Sequence, residues 1–553
     1  MDPAALPTNS LNFNVGVLGH IDSGKTSLCK AISTTASTAS FDKNPQSQER
    51  GITLDLGFSS FCVPLPSHLV APNDQIRYIQ YTLVDCPGHA SLIRTIISGA
   101  QIMDLMLLIV DVTKGIQTQT AECLVIGEIT CQHMIVVLNK IDLLPESKRE
   151  ASISKMKSRL EKVLLTTKFT GCPIVAVAAH SGSSEGEAIG LQDLVNVLAE
   201  KTFFPKRNAK GSLLFSVDHC FSIRGQGTVM TGTMLSGSVR INDNIEIVTL
   251  KETRKVKSMQ MFRQPVQQAI QGDRVGICVA NFDAKLLERG FAAAPGTLTT
   301  LYGFIIQLHK IQHFKPSIKS RSKFHVTIGH DTVMGKIQLF SGVPDSGENF
   351  DANPEYAFVE EVVDATVHQE NVVIFALIEL ESPVIGQRGQ LIVASRLDAD
   401  IHQNACRLAF YGKILEPFSD KDYASAFLPK LRIFKEKFRS GQVERMQDPH
   451  SVIVKNLVKK ETDTTKFEGL KVQLSTGEAG IIDGSFGKSG KIKIRIPDGL
   501  KQTTIDLLSR MNKKRTDEDT GDNTKALKTE DNIEVKMIFK RYVYDSKKRM
   551  IQS

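Results

Sequence analysis

The chain has 553 residues, and its apolar fraction of 41% and charged fraction of 23% exclude a disordered protein and indicate roughly three to five globular domains. Its nine cysteines form no C-x-x-C pair, so neither a zinc knuckle nor a disulfide framework is predicted and a reducing compartment is favoured. No apolar run is long enough to cross a membrane and the N-terminus lacks the pattern of a secretory signal, so we expect a cytoplasmic protein without a membrane partner, and a nuclear fraction stays open.

The first informative element is a P-loop. Residues 19–26 read GHIDSGKT, after an apolar strand at 13–18 and before a helical segment. Such a loop turns backbone N–H groups toward phosphate oxygens, while Lys25 brings a charge to the terminal phosphates and the Thr26 hydroxyl ligates Mg²⁺. The pattern alone also fits an ordinary glycine-rich turn.

Two further loops supply what a nucleotide switch requires. Asp85 follows the apolar strand 81–84 and can hold Mg²⁺ through water, and the nearby Gly88 N–H can meet a γ-phosphate. Residues 50–53 lie between the P-loop and Asp85, where a mobile loop would bring Thr53 to the metal. Each loop alone is an ordinary strand end, but their order and spacing favour a GTPase domain.

The base is predicted from residues 139–142, which read NKID after the strand 134–138. A carboxylate at Asp142 can accept both N–H donors on one edge of guanine. Adenine offers no such pair of donors, so the expected ligands are GTP and GDP rather than ATP.

The pattern then changes along the chain and predicts a multidomain fold. Residues 1–207 alternate strands and helices, which indicates an α/β P-loop GTPase domain. Short alternating strands with glycine and Asn/Asp turns predict two antiparallel β-barrels, at 208–297 and 298–417. Residues 418–553 read as a basic, mainly β C-terminal domain, with a polar insertion at 511–531 that we expect to be disordered.

The C-terminal quarter carries the positive charge. Residues 421–553 hold 29 Lys and Arg against 19 Asp and Glu, a net of +10 in a chain whose total is +8. This imbalance favours an anionic partner such as RNA, although a solvated charged surface would look the same. The tail 541–549 interleaves tyrosines with basic residues, which suits RNA stacking and equally an edge strand with a solvated end.

The motifs together resemble the translational GTPases related to elongation factor Tu. The resemblance rests on GHIDSGKT at 19–26, ERGITLD at 49–55, DCPGH at 85–89 and NKID at 139–142. Residues 225–233 are similar to the second domain of that family. The resemblance implies a three-domain body that grips the acceptor arm of an aminoacyl-tRNA.

It also implies roles for single residues. His89 would orient the attacking water, and Ile21 and Ile52 would form a hydrophobic gate that the ribosome opens. Thr53 would complete the Mg²⁺ shell. Hydrolysis would proceed by in-line attack of water, with the charge stabilised by Mg²⁺, Lys25 and backbone amides and with no covalent intermediate.

The implied nucleotide contacts extend over the P-loop and three strand ends. Ala178 and Ala179 lie where the family keeps a backbone contact to guanine, although the sequence departs there from the usual Ser-Ala-Leu. The complete set is Gly19, His20, Ile21, Asp22, Ser23, Gly24, Lys25, Thr26, Ser27, Asp85, Gly88, Asn139, Lys140, Asp142, Ala178 and Ala179, with Thr26, Thr53 and Asp85 (through water) at Mg²⁺.

Residues 217–221, 272–274 and 395–400 resemble the selenocysteine-specific branch of the family, especially its animal form. A selenol is more acidic than a thiol, whose pKa is about 8.5, so it is an anion at neutral pH. A pocket that prefers it should be cationic and should reject a neutral hydroxyl. The resemblance assigns this pocket to Arg274 as the cation, His219 as a donor and Asp218 as the group that orients the imidazole; separately, each residue fits ordinary barrel chemistry.

The branch implies the partners. They are selenocysteinyl-tRNA, the ribosome and a separate protein that binds the selenocysteine-insertion hairpin, with the chain acting as a monomer. An initiation factor 2 γ subunit would instead show a cysteine knuckle and little after the third domain. A GTP-regulated factor for RNA or ribosome assembly is compatible with the GTPase motifs, but the barrel motifs argue against it.

Overall fold

The computed structural model describes residues 10–36, 56–69, 76–88, 95–97, 102–179, 188–343, 350–363, 372–398, 406–459, 463–487, 490–518 and 532–552. The chain divides into two compact units. The first comprises residues 1–339, 346–350 and 360–421, and the second comprises 340–345, 351–359 and 422–553. Within the described ranges no helix combines the length and the apolarity needed to span a bilayer.

The first unit begins with an α/β domain. Its sheet has the described strand order β2-β3-β4-β1-β5-β6-β7, in which β1, β4, β5, β6 and β7 run parallel and β2 and β3 are antiparallel additions at one edge. The strands are β1 Ser10–Gly19, β2 Thr35–Ala36, β3 Gly57–Pro64, β4 Tyr78–Asp85, β5 Leu105–Asp111, β6 His133–Asn139 and β7 Ile174–Ala176, and the helices are α1 Lys25–Ile32, α2 Thr118–Thr130, α3 Arg149–Leu164 and α4 Leu191–Lys201.

Burial explains why the inner strands β5 and β6 are nearly continuous apolar runs. Every residue of β5 is buried, as expected for a strand that helices cover on both faces of a parallel sheet. Phe13 and Tyr81 pack edge to face at a centroid distance of 5.8 Å in the core. The carboxyl ends of β1, β4 and β6 then lie at one edge of the sheet, where the nucleotide motifs follow.

A first antiparallel barrel follows in the same unit. Its strand order is β11-β16-β8-β9-β15-β12-β13, and the pairing of β11 with β12 closes it; β10 pairs with β14. The strands are β8 Leu214–Ile223, β9 Gly227–Ser236, β10 Ser238–Arg240, β11 Asn244–Ile247, β12 Glu252–Met261, β13 Gln264–Val266, β14 Gln268–Ile270, β15 Arg274–Val279 and β16 Gly290–Ala293.

A second barrel has the order β20-β25-β26-β17-β24-β21 and closes through β20 and β21. Its strands are β17 Thr299–Gln307, β18 His309–Lys310, β19 Ile318–Lys319, β20 Lys323–Ile328, β21 Asp331–Gly342, β23 Glu361–Val362, β24 Val373–Gly386, β25 Leu391–Ser395 and β26 Leu408–Phe418. The predicted sequence of an α/β GTPase domain followed by two antiparallel barrels is confirmed.

The second unit is mainly β, as predicted. Its strands follow the order β22-β27-β28-β31-β30-β29-β32, with β27 also paired to β32. The elements are β22 Tyr356–Phe358, β27 Ile433–Asp448, β28 Ser451–Lys455, β29 Lys471–Leu474, β30 Ala479–Phe486, β31 Lys491–Arg495, β32 Glu534–Tyr542, α5 Tyr423–Ala426 and α6 Gln502–Glu518.

Helix α6 corrects one expectation. It continues through Glu518 into the stretch 511–531 that the sequence predicted to be disordered, while 519–531 lies outside the described residues. The low apolar content of 511–518 argues against a buried segment, but Lys, Arg and Glu are good helix formers and the run contains no proline or glycine. A polar composition therefore did not exclude a helix.

Candidate nucleotide and aminoacyl sites

The P-loop joins the end of β1 to the start of α1. Gly24 precedes α1 with φ of 89°, a conformation that favours glycine, and a Cβ there would collide with the Asn139 side chain. Ser23 is buried, Asp22 and Ser27 are exposed, and His20 and Ile21 are half-buried.

Lys25 lies inside this loop. Its side chain is buried, and Nζ donates a hydrogen bond of 2.8 Å to the carbonyl of His20. Burial lowers the pKa of Lys25, and the carboxylate of Asp85 opposes that shift. A Cβ on Gly88 would collide with Lys25 Nζ, so the glycine predicted to meet a γ-phosphate lies directly beside the predicted phosphate cation.

The predicted metal ligands Thr26 and Asp85 are in contact. The Thr26 hydroxyl donates to Asp85 Oδ2 at 2.6 Å, and Asp85 is fully buried at the end of β4. A hydroxyl and a carboxylate beside a phosphate loop are the oxygen donors that Mg²⁺ prefers, so the described residues fit that ion. Thr53, Ile52 and His89 lie outside the described residues.

Asn139 ties the guanine loop to the P-loop. Its side-chain amide donates to the Ser23 carbonyl at 2.9 Å, and its Oδ1 accepts from the backbone of Lys140 at 2.9 Å and of Ala179 at 3.3 Å. Lys140 has φ of 67° and its Nζ lies 2.9 Å from Asp111 Oδ2. Three chain segments that are far apart in sequence therefore converge on one amide.

The positions predicted to recognise the base lie beside Asn139. Asp142 is half-buried in a short 3₁₀ turn, Ile141–Leu143. Ala178 and Ala179 are buried and follow β7. The arrangement leaves the Asp142 carboxylate partly accessible for the two N–H groups of a guanine.

The second predicted site centres on Arg274, the first residue of β15. Its guanidinium is 4% exposed, forms an ion pair with Asp218 of β8 and lies 3.3 Å from the ring centroid of Phe58. Burial lowers the pKa of Arg274, and Asp218 opposes the shift. Arginine stays charged despite such a shift because its ordinary pKa is so high.

This guanidinium is incompletely satisfied. Nε and Nη2 of Arg274 find no hydrogen-bond acceptor among the described residues. Arg274 also lines a cavity of about 100 Å³ in the first barrel. The other lining residues are Phe221, Ile223, Gln226, Val229, Thr231, Ser258, Gln260, Phe262, Arg263, Val275, Gly276 and Cys278. A buried N–H without an acceptor is unusual in a folded protein and marks a candidate ligand contact.

His219 lies on the same strand as Asp218. The pairing of β8 with β9 shifts register between Val217 and His219, which makes Asp218 the bulged residue. His219 is half-buried, and its carbonyl accepts a bond of 3.5 Å from Thr231. The structure thus brings Asp218 and Arg274 into direct contact, while the orientation of the His219 imidazole by Asp218 stays a prediction.

Long-range contacts add residues that the sequence did not indicate. Phe58 comes from the GTPase domain, more than two hundred positions from the arginine it covers. Asn12 and Asn14 of β1 both donate to the carbonyl of Gly272, at 2.7 and 2.8 Å. No local pattern signals such pairs, because each residue looks unremarkable in its own strand.

The fold and the nucleotide site define a translational GTPase of the elongation factor Tu type. Residues 11–203 match the family described as the elongation factor Tu GTP-binding domain, and residues 227–293 match elongation factor Tu domain 2. Residues 305–412 match the third domain of eukaryotic selenocysteine-specific elongation factors, and residues 429–548 match the C-terminal RIFT domain of the same factors.

Whole-chain relatives narrow the class. The chain is 52% identical to a mouse protein named selenocysteine-specific elongation factor, over 98% of this chain and 99% of the relative. It is 32% identical to the Methanocaldococcus jannaschii protein of that name, over 87% and 93%. The crystal structure of elongation factor SelB from Methanococcus maripaludis with the GTP analogue GppNHp matches with a TM-score of 0.69 and 25% identity, over 97% of this chain and all of that one. The chain belongs to the selenocysteine-specific elongation factors.

Proposed function

We propose that the chain binds GTP together with Mg²⁺, carries selenocysteinyl-tRNA and delivers it to the ribosomal A site for selenocysteine insertion at UGA codons. The observation that carries the side-chain specificity is Arg274, a buried guanidinium at the wall of a barrel cavity, with two nitrogens that meet no acceptor among the residues the structure describes. Membership of the family supports the rest of the assignment.

The discrimination against serine is electrostatic. A selenolate can accept hydrogen bonds from the Nε–H and Nη2–H groups of Arg274, and such charge-assisted hydrogen bonds are the stronger kind. A seryl hydroxyl would leave the guanidinium without that charge in a buried site, which costs much more than one lost contact. Asp218 fixes the guanidinium by its ion pair, and we assign His219 as a second donor to the selenium.

The nucleotide half works as a switch. Backbone N–H groups of the P-loop and Lys25 hold the phosphates, and Asp142 holds the guanine edge. Thr26 and Asp85 would hold Mg²⁺, joined by Thr53. The metal, when bound, neutralises charge that develops on the phosphate oxygens. GDP is the product of hydrolysis.

For hydrolysis we assign His89 as the residue that orients water, behind a gate of Ile21 and Ile52. We expect His89→Ala to abolish ribosome-stimulated hydrolysis while GTP binding stays intact, measured by phosphate release and by nucleotide titration. Loss of GTP binding in this variant would contradict the assignment.

The remaining partners rest on charge and family. We propose that the basic C-terminal domain contacts RNA or the protein that binds the insertion hairpin, and that the chain acts as a cytoplasmic monomer. Titration of the isolated hairpin, with and without its binding protein, against the full chain would separate direct RNA contact from recruitment.

The pocket is tested by Arg274→Ala. We expect this variant to narrow the preference for selenocysteinyl- over seryl-tRNA about tenfold or more, measured as protection of the ester bond in the GTP-bound protein. Arg254→Ala is the matched control, because Arg254 lies on β12 of the same barrel in a partly exposed pair with Glu252. An unchanged preference would remove Arg274 from the pocket.

A further inference from the structure

A histidine from the second barrel reaches the Asp218–Arg274 pair in the first barrel. β20 and β21 are joined by a two-residue turn, Gly329 and His330, in which Gly329 has φ of 55°. The turn packs tightly on the first barrel, since a Cβ on Gly329 would collide with the ring of Phe291. The ring of His330 itself lies 5.6 Å from the ring of Phe291.

His330 contacts two residues of β8. Its Nε2 is hydrogen-bonded to Ser216 Oγ at 2.6 Å and lies 3.9 Å from Asp218 Oδ1. The other carboxylate oxygen of Asp218 holds the guanidinium of Arg274. The two oxygens of one buried carboxylate therefore face a histidine from one barrel and an arginine from the other.

This placement bears on the charge of the pocket. A carboxylate and a guanidinium that pair only with each other cancel, which would leave little positive charge for an anionic ligand. A second group can contact the opposite side of the carboxylate and orient it or share its charge. Such a group changes how much of the positive charge of the guanidinium remains available to a ligand. His330 is the described side chain in that position.

We propose that His330 is a positioning residue of the selenocysteine pocket: it holds Ser216 and the Asp218 carboxylate in place, and so sets how much of the Arg274 charge is available to the amino-acid side chain. The inference rests on the function proposed above, because it requires Arg274 to read that side chain. Docking of the second barrel is then part of amino-acid selection.

The charged groups around His330 give the direction of a pH effect. Asp218 and Asp331 favour the protonated imidazole, whereas burial, the larger effect, and Arg289 lower the pKa of His330. The imidazole is therefore neutral near pH 7. Protonation at lower pH would draw the carboxylate of Asp218 toward His330 and release charge on Arg274.

The test uses ester-bond protection by the full GTP-bound chain, with selenocysteinyl- and seryl-tRNA on the same tRNA body. We expect His330→Ala to reduce the ratio of the two affinities about tenfold and His330→Gln, whose amide can still bond Ser216, to restore most of it. His325→Ala is the matched control: His325 lies on β20, and its Nδ1 meets the Leu397 N–H at 3.4 Å.

A pH series separates positioning from simple support of the fold. As the pH falls from about 7.5 to well below the ordinary histidine pKa of about 6.5, the wild type should gain selectivity relative to His330→Gln, because burial places the protonation of His330 below that ordinary value. The selenol of the unbound tRNA titrates identically in both experiments, so a difference between the two pH profiles arises in the bound complexes. If His330→Ala does not fold, the pH series of the glutamine variant decides alone.

Two results would overturn the inference in distinguishable ways. If His330→Ala weakens the binding of both tRNAs equally while Arg274→Ala changes the ratio of the two affinities, His330 only supports the fold and the proposed pocket at Arg274 is retained. If Arg274→Ala leaves the ratio unchanged, the proposed pocket is wrong and His330 has nothing to position.

Discussion

Replacing Arg407 with leucine should loosen the second barrel from the GTPase domain. Arg407 meets Glu122 of α2 through two hydrogen bonds, Nε to Oε1 at 2.9 Å and Nη2 to Oε2 at 2.8 Å. Both side chains are 6% exposed. The pair joins α2 of the GTPase domain to the residue just before β26, the last strand of the second barrel, within one compact unit.

The magnitude follows from what the substitution leaves behind. Two charge-assisted hydrogen bonds are lost and the carboxylate of Glu122 stays buried without a partner, which should cost about 3–5 kcal/mol. Removing both charges in the double variant Glu122→Leu, Arg407→Leu should recover most of that loss, because two apolar side chains can fill a buried ion-pair site at little cost.

The assay is urea unfolding of the two single variants, the double variant and the wild type, each with GTP present. Since a chain with several domains does not unfold in one step, the earliest transition is the one compared, and the four proteins form a double-mutant cycle. A loss below about 1 kcal/mol in Arg407→Leu, or a double variant as unstable as the sum of the singles, would refute the reasoning.

Three further substitutions test other parts of the account. Asn139→Ala leaves the Ser23 carbonyl and the Ala179 N–H unpaired, so the GTP affinity should fall about tenfold to a hundredfold in a fluorescence titration; an unchanged affinity would contradict the bridging role. Asp142→Asn should weaken the binding of GTP and favour the binding of xanthosine triphosphate, whose base has a carbonyl oxygen where guanine has an amino group. Competition binding would measure this change, and a retained preference for GTP would refute the role of Asp142. Burial raises the pKa of Asp273 from 3.8 to about 6. The wild type should therefore lose stability relative to Asp273→Asn as the pH rises from about 4 to about 6. If the difference between the urea midpoints of the two proteins is the same at both pH values, that pKa is contradicted.

The sequence predicts the inner parallel strands of the GTPase domain well because they are mostly apolar, as in β5 and β6. The end of β24 shows where that signal stops. β24 runs from Val373 to Gly386, but its buried apolar run ends at residue 378. Beyond residue 378 the strand becomes charged and more exposed, so it no longer looks like a buried run although it still pairs with β17.

The sequence also assigned the P-loop, Asp85 and Asn139 to one predicted nucleotide site, because P-loop chemistry needs certain residue types at fixed local spacing, and the structure brings these residues into contact. Around Arg274 the family resemblance indicated Asp218 but neither Phe58 nor His330. Phe58 and His330 come from two other domains of the first unit, and only the packing of those domains brings them to the Asp218–Arg274 pair. Local patterns identify strands and loops but contain no information on which loops meet.

The measurement that tests the central claim most directly is protection of the ester bond by the GTP-bound chain with three charged tRNAs. Selenocysteinyl-tRNA, seryl-tRNA on the same tRNA body and initiator methionyl-tRNA would be compared side by side. The account predicts protection of selenocysteinyl-tRNA alone. Equal protection of the first two would leave the tRNA as ligand but contradict the pocket at Arg274, and protection of none would contradict the delivery function itself.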